Sequence, residues 1–180
     1  MSYNSRLQEA WVQWLQGQGL GTYVTLTWSD EVALRDGLAY RDREGKVYGH
    51  PSSRIVALQH TRSWASRHGY DYRYFFASEV GYGRDIPHVH GMMEAMSRQE
   101  RYRLWAHWFA TKGLAVVLPV TDGCESYVSK YILKDDRCDT VEFSFNGASG
   151  ILDLYTVPGN GGVEDDGSAV YERHGSGEGQ

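Results

Sequence analysis

Asp85-Ile86-Pro87-His88-Val89-His90-Gly91-Met92-Met93-Glu94 is the stretch whose reading decides the fold. It reads as a strand entered from a turn. Alternate side chains of a strand share a face, so His88 and His90 project together while Val89 goes to the other side. Upstream, Tyr72-Arg73-Tyr74-Phe75-Phe76-Ala77-Ser78-Glu79-Val80 is a second strand, rich in aromatic residues. Gly81-Tyr82-Gly83-Arg84-Asp85 reads as the turn between them. A hairpin turning near Gly83-Arg84 sets Glu79 opposite His88, on the same face, where opposed Cβ atoms lie roughly 5 Å apart.

Working outward from the hairpin gives the architecture. Before it, Pro51-Ser52-Ser53 starts a helix running to about Arg67, with Ile55, Leu58, Trp64 and Ala65 as its core stripe and His68-Gly69 as its end. Earlier still, Thr22-Tyr23-Val24-Thr25-Leu26-Thr27-Trp28 is a strand closed by Ser29-Asp30. Arg35 to Gly49 is polar and reads as an exposed hairpin or loop. Asn4 to Leu15 has helical spacing at Leu7, Ala10, Trp11, Trp14 and Leu15. After the hairpin, Ser97 and Glu100 form a capping box for a helix to about Thr111, stopped by Lys112-Gly113. Leu114 to Val120 is a continuous apolar run and is expected to be a central strand. Glu125 to Asp135 is helical by pattern. Val141 to Phe145 and Ile151 to Tyr155 are short strands joined at Asn146-Gly147.

Without the first helix the order is βαββαβ. The expected fold is α+β, ferredoxin-like: a split βαβ with a central antiparallel sheet of about five strands and helices mainly on one face. One domain is expected over residues 1–156, including the N-terminal helix at 4–16. Residues 157–180 are Gly-rich and acidic and are expected to be a disordered tail.

The formal charge is −5 over 180 residues. Of 23 acids and 18 bases, six acids and one base lie from Asp153 onward, so the body is balanced at seventeen of each. A neutral body holds at most a local basic groove, and modest non-specific affinity for duplex DNA is expected. No apolar run is long enough to span a bilayer, and Met1 to Gln16 does not read as a secretory signal. A cytoplasmic location with no membrane contact is expected. Cys124 and Cys138 form no CxxC pair and are expected to be reduced thiols.

Two patterns carry chemistry. Glu79, His88 and His90 offer two imidazoles and a carboxylate, a set that suits a catalytic divalent ion with open positions. Mg²⁺ or Mn²⁺ is expected, and Zn²⁺ also suits the set. The alternative is a pair of ordinary strand histidines. On the helix after Asp122, Tyr127, Lys130, Tyr131 and Lys134 stand at i, i+3, i+4 and i+7 and share one face. A phenol with pKa near ~10 needs activation to attack, and a neighbouring ammonium can steady a phenolate or neutralise a phosphate. The alternative is a surface helix with half-buried tyrosines and solvated lysines. Tyr72, Tyr74 and Phe76 alternate on one strand face, where core packing accounts for most of them. Tyr82, in a Gly-flanked turn beside Arg84, is the aromatic expected to be exposed. There it could stack a single-stranded base, a contact worth ~1–3 kcal/mol.

Together these elements resemble the HUH endonucleases, in particular the rolling-circle replication initiators of small phages, single-stranded DNA viruses and plasmids. Tyr23-Val24-Thr25-Leu26-Thr27 looks like the family's first motif, Pro87-His88-Val89-His90-Gly91 like its histidine motif, and Tyr127-Val128-Ser129-Lys130-Tyr131 like its tyrosine motif. The resemblance covers about Gly21 to Lys134. It implies that Glu79, His88 and His90 hold one divalent ion and that Tyr127 attacks a scissile phosphate, giving a 5′-phosphotyrosine and a free 3′-hydroxyl. It further implies that Lys130 holds the phosphate or activates the phenol, with Tyr131 as a second nucleophile. Tyr82, Arg84 and Lys134 would contact DNA. The implied partner is single-stranded DNA or a DNA hairpin at a replication origin. No GxxxxGK[ST] segment follows, so a host helicase and polymerase would complete replication. A related transposase or relaxase, or a non-catalytic DNA-hairpin or origin-binding domain, fits the same fold.

Overall fold

The computed structural model of the chain describes residues 3–50, 52–70, 72–80, 86–133, 138–145 and 148–153. Its centre is the expected hairpin. Strand β4 (Tyr74–Val80) pairs antiparallel with β5 (Pro87–Met93), in a register that puts Glu79 opposite His88 and Ala77 opposite His90. On the other side of β5 lies β1 (Thr22–Thr27), with Thr25 opposite His90 and Thr27 opposite His88. Beyond β1 comes β6 (Ala115–Pro119), and beyond β4 come β7 (Cys138–Phe145) and β8 (Ala148–Asp153). The six-stranded sheet has the order β6-β1-β5-β4-β7-β8, antiparallel throughout. Its first four strands are joined through α3 (Ser53–Arg67) and α4 (Arg98–Thr111), the split βαβ arrangement read from the sequence. Strands β7 and β8 extend it by a hairpin.

Strand parity sorts the side chains into two cores. On one face Val24, Leu26, Phe76, Val89 and Met93 pack against Leu58 and Trp64 of α3 and Leu104 and Trp108 of α4. Trp108 anchors this layer: it stands edge-on to Trp28 at 5.1 Å and to Trp64 at 5.0 Å, and its indole N–H donates to the Thr27 carbonyl. Such ring pairs add ~0.5–1.5 kcal/mol each beyond burial. On the other face Tyr23, Phe75, Ala77, Met92 and Val141 pack under α1 (Tyr3–Gly17) and α5 (Cys124–Leu133), which contribute Leu15 and Val128. The polar end of this second face carries the candidate site.

Helix α4 starts as its sequence dictates. The Ser97 side chain accepts from the Glu100 N–H and the Glu100 carboxylate accepts from the Ser97 N–H, closing the capping box. Gly91 is required by packing. A Cβ there would lie 2.4 Å from the Phe75 carbonyl oxygen and 2.4 Å from the Phe76 ring. Gly91→Ala is expected to cost about 2–3 kcal/mol, or roughly 5–10 °C in Tm, measurable by thermal melts followed by circular dichroism.

Three sequence expectations are refined or corrected, and the core reading of the β4 aromatics holds. Between β1 and the expected hairpin, Ser29 caps a short helix to which the sequence reading gave no element, α2 (Asp30–Arg35), with Asp30 and Glu31 in its first turn. The expected hairpin follows as β2 (Ala39–Arg41) and β3 (Val47–Gly49). In α3, Leu58, Trp64 and Ala65 face the core as expected, but Ile55 is only half-buried and Ala57 and Thr61 take the interior places. Tyr74 and Phe76 are buried and stacked at 4.5 Å, so they are core residues. The apolar run Leu114–Val120 is the clearest correction: among the described residues β6 is an edge strand, bonded only to β1. Ala115 and Val117 pack against the core beneath α4, while Val116 and Leu118 are left exposed on the opposite face. Among the described residues no helix is long and apolar enough to cross a membrane. The tail, Tyr82, Arg84 and the Asn146-Gly147 turn lie outside the described residues.

Candidate functional site

The site is assembled on three adjacent strands. Strand β5 supplies His88 and His90, β4 supplies Glu79, and β1 supplies Tyr23, Thr25 and Thr27, all of one parity and therefore on one face. Glu79 sits where the β4–β7 register shifts: Ser78 pairs with Thr140 and Glu79 with Cys138, leaving Asp139 as the extra residue of a bulge. Bulges re-aim neighbouring side chains and occur often beside functional sites. The result here is a carboxylate and an imidazole in contact, with Glu79 Oε2 3.3 Å from His90 Nε2. Both residues are buried, at 6% and 7% exposure.

Thr25 and Thr27 orient the histidines. The Thr25 hydroxyl lies 3.1 Å from His90 Nδ1 and the Thr27 hydroxyl 3.0 Å from His88 Nδ1. If each Nδ1–H donates to its threonine, each ring keeps its Nε2 lone pair for a ligand, the arrangement metal-bound histidines use. Two ligand atoms on one ion with bonds near 2.0–2.1 Å stand ~3.0–3.4 Å apart, so the Glu79–His90 contact has the span of a shared ion. His88 stands wider. Its ring centroid is 6.5 Å from that of His90, with the planes at 47°, against ~4.5–5 Å for two imidazoles on one ion at about a right angle. Among the described residues no three His, Cys, Asp or Glu side chains are already gathered for a metal. The donor chemistry fits a divalent ion, and His88 must swing inward to complete the set.

Tyr127 rises from the first turns of α5 onto this face. Gly123, with φ +90°, makes the turn that starts the helix, and its carbonyl accepts from the Tyr127 N–H. Val128, the next residue, is fully buried, which points Tyr127 the other way, and Tyr127 is 45% exposed. Its ring stands edge-on to His90, centroids 6.3 Å apart at 80°, and edge-on to Tyr23 at 5.8 Å. A groove of about 550 Å³ runs over them, lined by Tyr23, Thr25, His90 and Tyr127, with Val116 and Leu118 of β6 as its outer wall. Lys130 and Tyr131 occupy positions three and four residues further along α5, on the same helical face by register. Their side chains, like Lys134, lie outside the described residues.

The structure thus brings Glu79, His88, His90 and Tyr127 to one face. Three contributors were not assigned from the sequence: Tyr23, Thr25 and Thr27. Tyr23 donates to or accepts from Thr25 across 2.7 Å, and its ring meets that of Tyr127 edge-on. Burial pushes its phenol up to about 12; the nearby Tyr127 adds to the rise and the Thr25 hydrogen bond opposes it. Tyr23 therefore stays neutral near pH 7 and serves as a fixed hydrogen-bond partner. The signal was present, since Tyr23, Thr25 and Thr27 alternate on one strand face. Using it required knowing that β1 lies beside the histidine strand. Cys124 is free and also lines the groove. No family model, curated protein or solved structure matches this chain.

Proposed function

We propose that the chain nicks and rejoins single-stranded DNA, with Tyr127 as the nucleophile, in the manner of an initiator of rolling-circle replication. One observation carries the reading: an exposed phenol stands edge-on over a buried imidazole–carboxylate pair of ligand-like spacing. Glu79, His88 and His90 would hold a divalent ion, Mg²⁺ or Mn²⁺ and also Zn²⁺, which when bound supplies polarisation of a phosphate oxygen.

The remaining work falls to the chain's own residues. The Tyr127 oxygen forms a bond to phosphorus and gives up its proton. The bond from phosphorus to the 3′-oxygen breaks, and that oxygen takes a proton to become a 3′-hydroxyl. The 5′ side stays on Tyr127 as a phosphodiester, so an incoming 3′-hydroxyl reverses the step without ATP. Tyr23, edge-on to Tyr127 at 5.8 Å, would position the attacking phenol, Lys130 would steady the phosphate, and Tyr131 would offer a second nucleophile. The DNA partner is a single strand or hairpin at an origin, with Tyr82, Arg84 and Lys134 as proposed contacts and a host helicase and polymerase as downstream partners. A transposase or relaxase uses the same chemistry.

A second reading has an observation in its favour. The wide placement of His88, with no ready-made metal cluster among the described residues, suits a non-catalytic origin- or hairpin-binding domain. A denaturing gel of the protein with labelled single-stranded oligonucleotides and Mn²⁺ separates the two. A label that migrates with the protein supports strand transfer. Native-gel binding that needs no metal and leaves no denaturation-resistant complex supports the binding domain.

Thr25→Val tests the orienting role. It removes the hydroxyl facing His90 Nδ1 while keeping a β-branched residue in the strand. The expected result is a 10–100-fold weaker Mn²⁺ affinity by titration calorimetry, with little change in Tm.

A further inference from the structure

We propose that the edge of β6, open among the described residues, together with the outward stripe of α4, is the contact surface for a second copy of this chain, the two β6 strands pairing antiparallel about Val117. This inference is independent of the strand-transfer reading. Among the described residues nine large apolar side chains are exposed, and six belong to this one edge: Tyr102, Trp105 and Phe109 of α4, then Leu114, Val116 and Leu118. Apolar side chains scattered singly over a surface need no explanation, but a contiguous patch marks an interaction site.

The α4 stripe meets the β6 segment at Phe109 and Leu114, while Val116 and Leu118 flank the same edge from the sheet's other face. Residues 102, 105 and 109 lie on one side of α4. The opposite flank carries Glu100 and His107, which meet Tyr72 and Tyr70, so the stripe looks away from them, toward the β6 side. Phe109 and Leu114 line a common groove of about 610 Å³.

Backbone register identifies the occupant. The Thr27 N–H donates to the Leu114 carbonyl and the Val120 N–H to the Gly21 carbonyl. Residues of the β1–β6 ladder alternate, so 114, 116, 118 and 120 face β1. Ala115 and Val117 therefore turn their N–H and C=O outward, and Pro119 turns out a carbonyl with no N–H. A two-fold axis at Val117 uses this pattern well. Val117 exchanges both bonds with its counterpart, and each Ala115 N–H donates to the Pro119 carbonyl across the axis. On the groove face the same register sets Val116 against Leu118, apolar against apolar, so the edge is complementary to itself, as an isologous contact requires.

A nucleic acid suits this surface less well. Bases stack on ring faces, and the middle ring here is already flanked on both sides: Trp105 lies 5.7 Å from Tyr102 at 32° and 5.5 Å from Phe109 at 16°. The area is also adequate. Six half-exposed large side chains amount to roughly 600 Å² of apolar surface per copy, close to the ~800 Å² per partner of a stable interface. In such a dimer the two candidate sites lie on one face of a continuous sheet. Val116 and Leu118 wall the groove of one site and touch the partner's edge.

Sedimentation analysis of the full chain at tens of micromolar tests this. The expected mass is twice the 20.4 kDa of the chain. The double substitution Tyr102→Glu with Phe109→Glu should shift it to the single mass, weakening association roughly 100-fold. Val117→Cys should form an interchain disulfide under mild oxidation that the parent does not. The hydrogen-bonded pairing sets the two Cα atoms ~5.5 Å apart, within disulfide range. The proposal is overturned by a parent chain that stays at 20.4 kDa. A dimer that survives the double substitution also overturns it, as does a dimer in which Val117→Cys fails to cross-link. A monomer whose tryptophan fluorescence is quenched by a single-stranded oligonucleotide, with the quenching lost on Trp105→Ala, assigns the stripe to nucleic acid instead. Should the double substitution unfold the chain, the Val117→Cys result decides alone.

Discussion

Tyr127→Phe is expected to abolish covalent capture of single-stranded DNA, lowering adduct yield by at least ~10⁴-fold, because the substitution deletes the attacking oxygen itself. Stability should hardly move. The ring is 45% exposed and keeps its edge contacts with His90 and Tyr23, so Tm should stay within about 2 °C of the parent. Strand binding should persist, since the change leaves the groove's shape intact. The comparison of adduct yield with native-gel affinity therefore separates chemistry from binding. A faint residual adduct is expected only if Tyr131, one helical turn on, reaches the same phosphate.

The second large effect concerns the buried pair. Glu79→Gln keeps the volume of the side chain but removes its charge, and His90→Ala removes the imidazole it touches. Each is expected to slow adduct formation about 1000-fold, equivalent to ~4 kcal/mol of transition-state stabilisation. Both should also flatten the dependence of rate on Mn²⁺ concentration, which Tyr127→Phe cannot do. His90 is 7% exposed, so His90→Ala also opens a small void, and Glu79→Gln is the cleaner comparison. Full activity in Glu79→Gln at unchanged Mn²⁺ demand would remove the carboxylate from the ligand set.

How far the sequence could be read depended on how local each signal was. The hairpin was legible because strand parity and a short turn connect Glu79 to His88 with few residues between, and the register bears this out. The same holds for the Ser97–Glu100 capping box, a contact between residues three apart. The position of Leu114–Val120 was not legible. A continuous apolar run signals burial on both faces, yet two of its residues face outward at an open edge. The run's excess of apolar side chains is what a contact with a second copy would use. Thr25 and Thr27 sit in a motif strand whose sequence assigns them no role, because their contact with the histidines depends on a non-local pairing between β1 and β5. Helix α2 was missed although Ser29, Asp30 and Glu31 carry the start signal; it is only six residues long.

The most direct measurement is to trim a covalent complex with nuclease, digest it with protease, and locate the residual nucleotide by mass spectrometry. The account predicts a 5′-phosphodiester on the peptide holding Tyr127, formed only with a divalent ion present. A nucleotide on Tyr23 or on any residue other than Tyr127 and Tyr131, or cleaved DNA with no nucleotide attached to the protein, would contradict it.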